Sequence, residues 1–409
     1  VVDIGGGRFD THPVHGENSD NKPIDLSAAN LIAQDLEINN KEGLKELLEF
    51  TRWQDSTGQS LKSSNPIDHT FAIPNIIKGC TLKFENNFED MVHSFMFVFK
   101  AIETANLNND KDFLIENCDD FMLAMNQNKV FIPDKINLKS LLAVYLAAKY
   151  CNKQVCLEAP PENSKKWHDF FALFASTSLL KNSELSKIFN FVKKIKQNSY
   201  LLSSNSPLDK TVSLMNILKG CSILYKNDKF MLIKQTFLLF DYIINYERNW
   251  QKSITEYQKN KKVFKLGKLK LVSIFAENGV VIKVARWMDR PDVIVYKDSN
   301  YEYISVLINK LGRMRNSDFC RLAARIRTVE LLYRNEIYPD KQGLFKEGEI
   351  ADWFLHQSKK LLVHGSPKAK RPPSLIPFDL IVEIVMTELD RERKLPSQFC
   401  PYDACLHNN

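Results

Sequence analysis

The amino-acid sequence predicts a mixed α/β protein in which a helical, internally duplicated region separates two α/β parts. The chain starts with a short apolar run typical of a buried strand, and three glycines follow it. Apolar residues then recur at helical spacing as far as Lys262. From Leu269 onward they alternate in the period-two pattern that is typical of strands.

The first part, residues 1–60, combines the strand Val1–Ile4 with a polar loop and a helix that ends near Leu36. Asp25 or Ser27 is a suitable N-cap for this helix, because either side chain can accept a hydrogen bond from the first turn. Since Val1 is not a methionine and already belongs to a strand pattern, we expect the natural chain to begin further upstream.

An internal repeat organises the second part, residues 61–262. Asn75–Cys80 recurs as Asn216–Cys221 at an offset of 141 residues, and the similarity extends on both sides. A repeated pattern of this length indicates a duplicated structural unit. We therefore predict two homologous helical units, at residues 41–104 and 185–246.

The third part, residues 263–395, is predicted to be a small sheet covered by helices, with a tail at residues 396–409. We place the domain boundary near Lys262, where helical periodicity gives way to alternation. Two helices are predicted, at Ser317–Tyr333 and Pro377–Leu389, with a loop at Leu361–Pro373 before the second. The predicted strands are Leu269–Phe275, Val280–Val284, Val293–Val295 and Tyr303–Leu307.

The composition indicates the number of domains and the cellular compartment more clearly than it indicates the function. A chain of 409 residues with 44% hydrophobic residues can form two or three domains with sizeable cores. The net charge of +7 suits an anionic partner, and the eight scattered cysteines suit reduced thiols in the cytoplasm. No apolar run approaches the length that spans a bilayer, so we expect no membrane partner.

Acidic residues and histidines are concentrated in the first loop, which contains Asp3, Asp10, His12 and His15. Carboxylate and imidazole ligands suit Mn²⁺, Zn²⁺ or Fe²⁺, and a carboxylate can bridge two ions that activate water. Polar loops are also rich in such residues when they bind nothing. The composition of the loop therefore leaves a metal site and an ordinary loop open.

Asp55 is a further candidate ligand. In the alignment of the two repeats it faces Lys196, whereas a residue of the shared scaffold is expected to persist in both copies. This asymmetry favours a site role for Asp55. A solvated carboxylate in a loop is the alternative.

Two stretches of the chain resemble a known family. Val2–Gly6 followed by Arg8–His12 is similar to an opening segment of the MYG1-like family within the DHH phosphoesterase superfamily. Trp353–His356 followed by Leu362–Ser366 resembles the closing pattern of the same family. The likeness covers residues 1–50 and 265–390.

The resemblance implies that residues 1–60 are the remnant of a DHH-type metal-binding lobe and that the third part is the substrate-binding lobe. It implies that Asp3 and His12 act in catalysis by holding divalent ions, Mn²⁺ first among them, that deprotonate a bound water. Asp55 would be a later ligand of the same site. Asp10 and His15 are further candidate ligands.

A second set of residues would contact the phosphate oxygens of the substrate. The implied activity is metal-dependent hydrolysis of a phosphoester, in RNA or in a phosphorylated small molecule such as a nucleotide. The candidate substrate-binding residues are Arg286, His356, His364, Gly365, Ser366 and Lys368.

Two departures from the family's pattern favour an alternative. Thr11 stands where the family has the first histidine of its triplet, which is a metal ligand. The family's opening histidine and aspartate motif would lie upstream of Val1. The alternative is a catalytically degraded protein of the same fold that binds phosphate or nucleic acid.

Two basic segments could also meet an anion. Five arginines between Arg313 and Arg327 suit a nucleic-acid backbone, and a solvated helix face is the alternative. Lys368, Lys370 and Arg371 make the loop after His364 basic, which suits either phosphate contact or plain surface.

Overall fold

The chain forms two compact units, Val1–Asn249 (unit 1) and Trp250–Asn409 (unit 2), in a mixed α/β fold of the predicted class. The structure is a computed structural model. It describes residues 27–57, 72–85, 87–108, 122–125, 128–131, 138–157, 166–169, 206–309, 312–314, 317–337, 342–356, 358–365 and 372–394.

Most of the described part of unit 1 is helical. The helices are α1 (Ala28–Asp35), α2 (Lys45–Thr57), α3 (Ile73–Lys83), α4 (Phe88–Leu107), α5 (Leu138–Tyr150), α6 (Pro207–Thr211), α7 (Leu214–Leu224) and α8 (Lys229–Asn260). The last of these, α8, begins in unit 1 and continues into unit 2. Ser27 is the N-cap of α1, as predicted, and it forms a capping box with Asn30.

The two copies of the sequence repeat form equivalent helix pairs, α3 with α4 and α7 with α8. The paired helices begin at the offset of 141 residues found in the sequence, and α3 and α7 have the same length. Equivalent side chains are buried in one core, as Ile76 and Ile217 illustrate. The equivalent residues Ala72 and Ser213 form an antiparallel β-bridge, which places a local two-fold axis between the copies.

Each copy packs a glycine against the long helix of the other copy. A Cβ atom at Gly79 in α3 would overlap the backbone carbonyl of Tyr242 in α8. A Cβ atom at Gly220 in α7 would overlap the carbonyl of Ala101 in α4, and Ala101 is the repeat equivalent of Tyr242. Glycine is needed at both positions because it alone permits this approach of two backbones.

Unit 1 also contains a four-stranded sheet with the order β3-β2-β1-β4. Only β2 and β3 are parallel, and α5 lies between them in the chain with residues 141–147 buried. The prediction for residues 61–262 did not include these strands, because a segment such as β1 shows no alternation of polar and apolar residues. The strands are β1 (Met122–Met125), β2 (Lys129–Phe131), β3 (Gln154–Cys156) and β4 (Lys166–Asp169).

Unit 2 is built on a seven-stranded mixed sheet with the order β5-β6-β7-β8-β11-β10-β9. Only β6 and β7 are parallel; every other neighbouring pair is antiparallel. The strands are β5 (Lys261–Leu266), β6 (Leu269–Ala276), β7 (Val293–Asp298), β8 (Ile304–Ile308), β9 (Gly348–Ile350), β10 (Trp353–Leu355) and β11 (Leu361–His364).

Helices cover both faces of this sheet. The helix α9 (Val281–Met288) connects β6 to β7 and packs on one face together with the end of α8. The helices α10 (Cys320–Tyr333) and α11 (Phe378–Lys394) pack on the other face. The change from helix to strand falls between Asn260 and Lys261, while the two compact units divide earlier, inside α8.

The segment Val280–Val284 is helical, and its prediction as a strand is wrong. A short apolar run has no reliable period of its own. In the structure Val281, Val284 and Ala285 are the buried residues, at the three- and four-residue spacing of a helix face.

Candidate metal and phosphate site

The predicted metal ligands lie largely outside the described residues. Asp55 lies in the last turn of α2. The alternative interpretation of Asp55 as a loop residue is therefore wrong about its secondary structure. The other four predicted ligands lie outside the described part of the chain: Asp3, Asp10, His12 and His15.

The start of α1 contacts α2 one turn before Asp55. The Ser27 hydroxyl lies 3.2 Å from the Thr51 hydroxyl, and the Asn30 amide donates to the Leu48 carbonyl at 3.3 Å. Thr51 precedes Asp55 by four residues, which is about one helical turn. The contact therefore brings the residue that follows the first loop next to the helix that carries Asp55.

Within residues that the structure describes, no group of three histidine, cysteine, aspartate or glutamate side chains is placed to hold a metal ion. The predicted metal site therefore stays a prediction about residues outside the described ranges, those of the first loop among them. Arg286 and His356 are two of the predicted phosphate contacts that the structure does describe.

Arg286 lies on the exposed face of α9, not on a strand. Nearby protein atoms remove water from part of its guanidinium group and lower its pKa. An arginine remains charged at neutral pH despite such a shift. Arg286 therefore presents a cation at the surface of unit 2.

His356 lies in the turn between β10 and β11 and is partly exposed. The backbone amide of Ser358 donates to its Nδ1 at 3.0 Å, and the Ser358 hydroxyl lies 2.9 Å from the same atom. These contacts hold the ring in the turn. His356 remains a candidate for contact with substrate.

His364 is the last residue of β11 and its residue surface is only 1% exposed. It faces Trp353 across the strands, with ring centroids 5.1 Å apart in an edge-to-face arrangement. Its Nε2 has no hydrogen-bond partner in the described structure. Burial lowers the pKa of His364, and the nearby carboxylates of Glu330 and Asp352 offset only part of that effect.

This burial is at odds with direct phosphate contact by His364, which was expected to lie in a loop. Gly365 follows with a φ of 68°, a left-handed conformation that favours glycine. Ser366 and Lys368 lie outside the described residues. Of the two histidines predicted to contact phosphate, the structure thus places His364 inside the protein and His356 at a turn.

Glu330 of α10 is a buried carboxylate that sequence reasoning missed. Trp353 Nε1 donates to it at 3.2 Å, Ser374 Oγ at 2.5 Å and the Leu375 amide at 3.0 Å, and Arg334 adds two further bonds. Burial alone raises the pKa of Glu330, but these hydrogen bonds outweigh it and lower the pKa. Glu330 thereby connects α10 with β10 and with the segment before α11.

Arg327, one turn earlier in α10, is also fully buried. Its guanidinium donates to four backbone carbonyls, those of Leu344, Lys346, Gly348 and Trp353. The prediction of a basic nucleic-acid face between Arg313 and Arg327 therefore fails at this residue. The helical spacing of the sequence could have revealed that Arg327 is buried. Arg327 belongs to one buried stripe of the helix, which consists of Ala323, Ile326, Arg327, Glu330 and Leu331.

Two further arginines of that segment are also engaged. Arg325 pairs with the buried Glu388, and the Arg313 guanidinium donates to the carbonyl of Lys268. The helix α10 therefore does not present the stripe of five arginines that the sequence suggested.

No family model, curated protein or solved structure is found to match the chain. The structure therefore shows a two-unit α/β protein. The resemblance to DHH phosphoesterases stays a prediction from the sequence. No helix in the described ranges has the length and apolar character needed to cross a membrane.

Proposed function

We propose that this protein is a cytoplasmic, metal-dependent phosphoester hydrolase whose DHH-type lobe holds a divalent ion, with Mn²⁺ the first to test, through Asp3, His12 and Asp55. The contact of Ser27 with Thr51 carries the proposal. It shows that the start of α1 contacts α2, the helix of Asp55, and this supports a site that Asp55 shares with the segment before α1. The donor set of carboxylates and imidazole suits Mn²⁺.

Asp10 and His15 are the further donors in the same loop, and His15 is available to act in place of Thr11. A bound ion would supply an acidified water for attack on phosphorus. Arg286 and His356 are the accessible candidates for contact with phosphate oxygens of a nucleotide or RNA. His364 would support the neighbouring strands from inside.

The test is calorimetric titration of the 409-residue chain with Mn²⁺, followed by an assay on a chromogenic phosphodiester. We expect binding and hydrolysis in the parent, and loss of both in Asp3→Ala and Asp55→Ala. Asp379→Ala is the matched control, because that carboxylate is 84% exposed and lies in unit 2. A folded parent that binds no Mn²⁺ would refute the proposal.

A second candidate is a non-catalytic protein of the same fold that binds phosphate or nucleic acid. Thr11 in place of a ligand favours it, as does the burial of His364. This candidate predicts that anions bind equally well with and without Mn²⁺. Metal-dependent hydrolysis that disappears in Asp3→Ala would exclude it.

A further inference from the structure

The end of α9 and the β5–β6 hairpin form one basic and aromatic surface on unit 2. Lys261 Nζ lies 2.6 Å from the Asp289 carboxylate and Lys270 Nζ lies 3.0 Å from it. Asp289 is the C-cap of α9 and directly follows Trp287 and Met288. The hairpin lysines therefore lie at the end of the helix that carries the exposed Trp287.

Lys265 extends this charge along the same face of the sheet. Lys261 and Lys265 are four residues apart on one strand, so their side chains lie on the same face. Lys265 is also the register partner of Lys270. Like charges placed directly opposite each other on a strand pair are destabilising, so this pairing is a local cost to the fold.

Four cations of this surface form no ion pair with a carboxylate in the described part of the chain: Lys265, Lys268, Arg286 and Arg290. All four belong to exposed residues. Asp289, a carboxylate of the same surface, is already held by Lys261, Lys270 and the Tyr257 hydroxyl. Its negative charge is thus largely neutralised, and the surface keeps an excess of positive charge.

Trp287 adds a flat apolar ring to these charges. It is 54% exposed, and its ring contacts Trp250 in an edge-to-face arrangement with centroids 6.1 Å apart. This contact supports the ring from below and leaves much of it accessible. An accessible indole among lysines and arginines is the combination that binds single-stranded nucleic acids, by stacking on bases while cations contact phosphates.

We propose that Lys265, Lys268, Lys270, Arg286, Trp287 and Arg290 bind the backbone and bases of a single-stranded nucleic acid. The surface lies wholly within unit 2, and its binding needs neither a metal ion nor the first loop. The proposal thus goes beyond hydrolysis; the two share Arg286, but the variants that test this surface lie at other residues. The charge complementarity with phosphate and the exposed indole commit the surface to this occupant.

The test is fluorescence anisotropy of a labelled single-stranded oligouridylate, titrated with the whole chain in EDTA over a series of salt concentrations. We expect Trp287→Ala to weaken binding roughly tenfold, while Trp287→Phe keeps most of it because the flat ring remains. Lys265→Glu should weaken binding and reduce the slope of affinity against salt by at least about one.

Lys346→Glu is the matched control, since Lys346 is exposed and precedes β9 at the opposite edge of the sheet. It should bind like the parent. The proposal is overturned if Lys265→Glu and Lys346→Glu weaken binding equally, or if Trp287→Ala has no effect in a folded protein. It is also overturned if anionic vesicles bind through Trp287 and the oligonucleotide does not.

Because the titration contains EDTA, its outcome is separate from that of the Mn²⁺ experiment. A protein that binds the oligonucleotide but not Mn²⁺ would retain this surface and lose the proposed hydrolase. The reverse result would retain the hydrolase and remove the surface.

Discussion

The helical repeat of unit 1 and the buried polar cluster of unit 2 stabilise their surroundings in opposite ways. In the repeat, Gly79 and Gly220 let backbones touch, and the surrounding core is apolar. In unit 2, Arg327 and Glu330 are charged and fully buried, and each is held by several hydrogen bonds. The repeat is stabilised because its glycines have no side-chain atoms at the contact, whereas the polar cluster is stabilised by the charged groups of its side chains.

This difference determines which substitutions each region can absorb. A backbone contact cannot relax around an added methyl group, because the carbonyl it meets belongs to a helix held along its whole length. A buried charge tolerates no loss of its partners, since the remaining group is left without solvation. The repeat should therefore be most sensitive to atoms added, and the cluster to atoms or charges removed.

The largest effect is expected for Gly79→Ala. The added Cβ would overlap the Tyr242 carbonyl, so α3 must move away from α8 or the repeat must unfold. We expect a loss of about 4 kcal/mol or more in the stability of unit 1. Hydrogen–deuterium exchange of amides in α3, α4, α7 and α8 would measure it separately from unit 2.

Gly279→Ala is the control for this change, because the nearest atom to an added Cβ is the Tyr303 hydroxyl at 3.6 Å. Its effect should stay within about 1 kcal/mol. The local two-fold relation also predicts that Gly220→Ala is nearly as severe as Gly79→Ala. Normal exchange in either repeat variant would contradict the interlocked packing.

A smaller but still large effect is expected for Glu330→Gln. The amide keeps the volume of the side chain but removes the charge that Arg334, Trp353 and Ser374 all contact. We expect a loss of about 3 kcal/mol, seen as faster exchange in β10 and α10. Glu336→Gln, at an exposed position just after the same helix, should leave exchange unchanged; equal effects of the two would disprove the clamp.

The sequence predicts the repeat well because duplication leaves a record in residue identities. Asn75–Cys80 and Asn216–Cys221 match directly, and Ser27 is a recognisable cap. Both predictions are confirmed in the structure, because each depends on residues that are close together in the chain. The exchange of contacts between the copies could not be predicted, because it depends on which helix each glycine meets in space.

The candidate site is less predictable for a different reason. The type of a polar residue does not show whether it is buried, and arginine and histidine, as at Arg327 and His364, are usually surface residues. Their burial follows from strand order and helix packing, which bring distant segments to both. Asp55 was a candidate from the sequence alone, but the contact of its helix with Ser27 through Thr51 is found only in the structure.

The smallest effect concerns the protonation of His364. Burial lowers its pKa in the folded protein below the ordinary value of 6.5, so below that pH the unfolded chain binds the proton more tightly. Stability should therefore fall as the pH drops from 6.5 towards the folded pKa, by at most about 1.4 kcal/mol per pH unit. The hydrogen-bonded carboxylate of Glu330 acts in the same direction only at lower pH, because its own pKa lies below 4.5.

His364→Phe tests this by replacing the ring with one that cannot be protonated and that leaves no unpartnered Nε2. The variant should match or exceed the stability of the parent at pH 7, and its advantage should grow as the pH falls below 6.5. Urea unfolding of both proteins across that range, followed by the fluorescence of the adjacent Trp353, measures the difference. A constant difference would mean that His364 accepts its proton equally well folded and unfolded, and that the sheet of unit 2 encloses it less tightly than its contacts with Trp353 indicate.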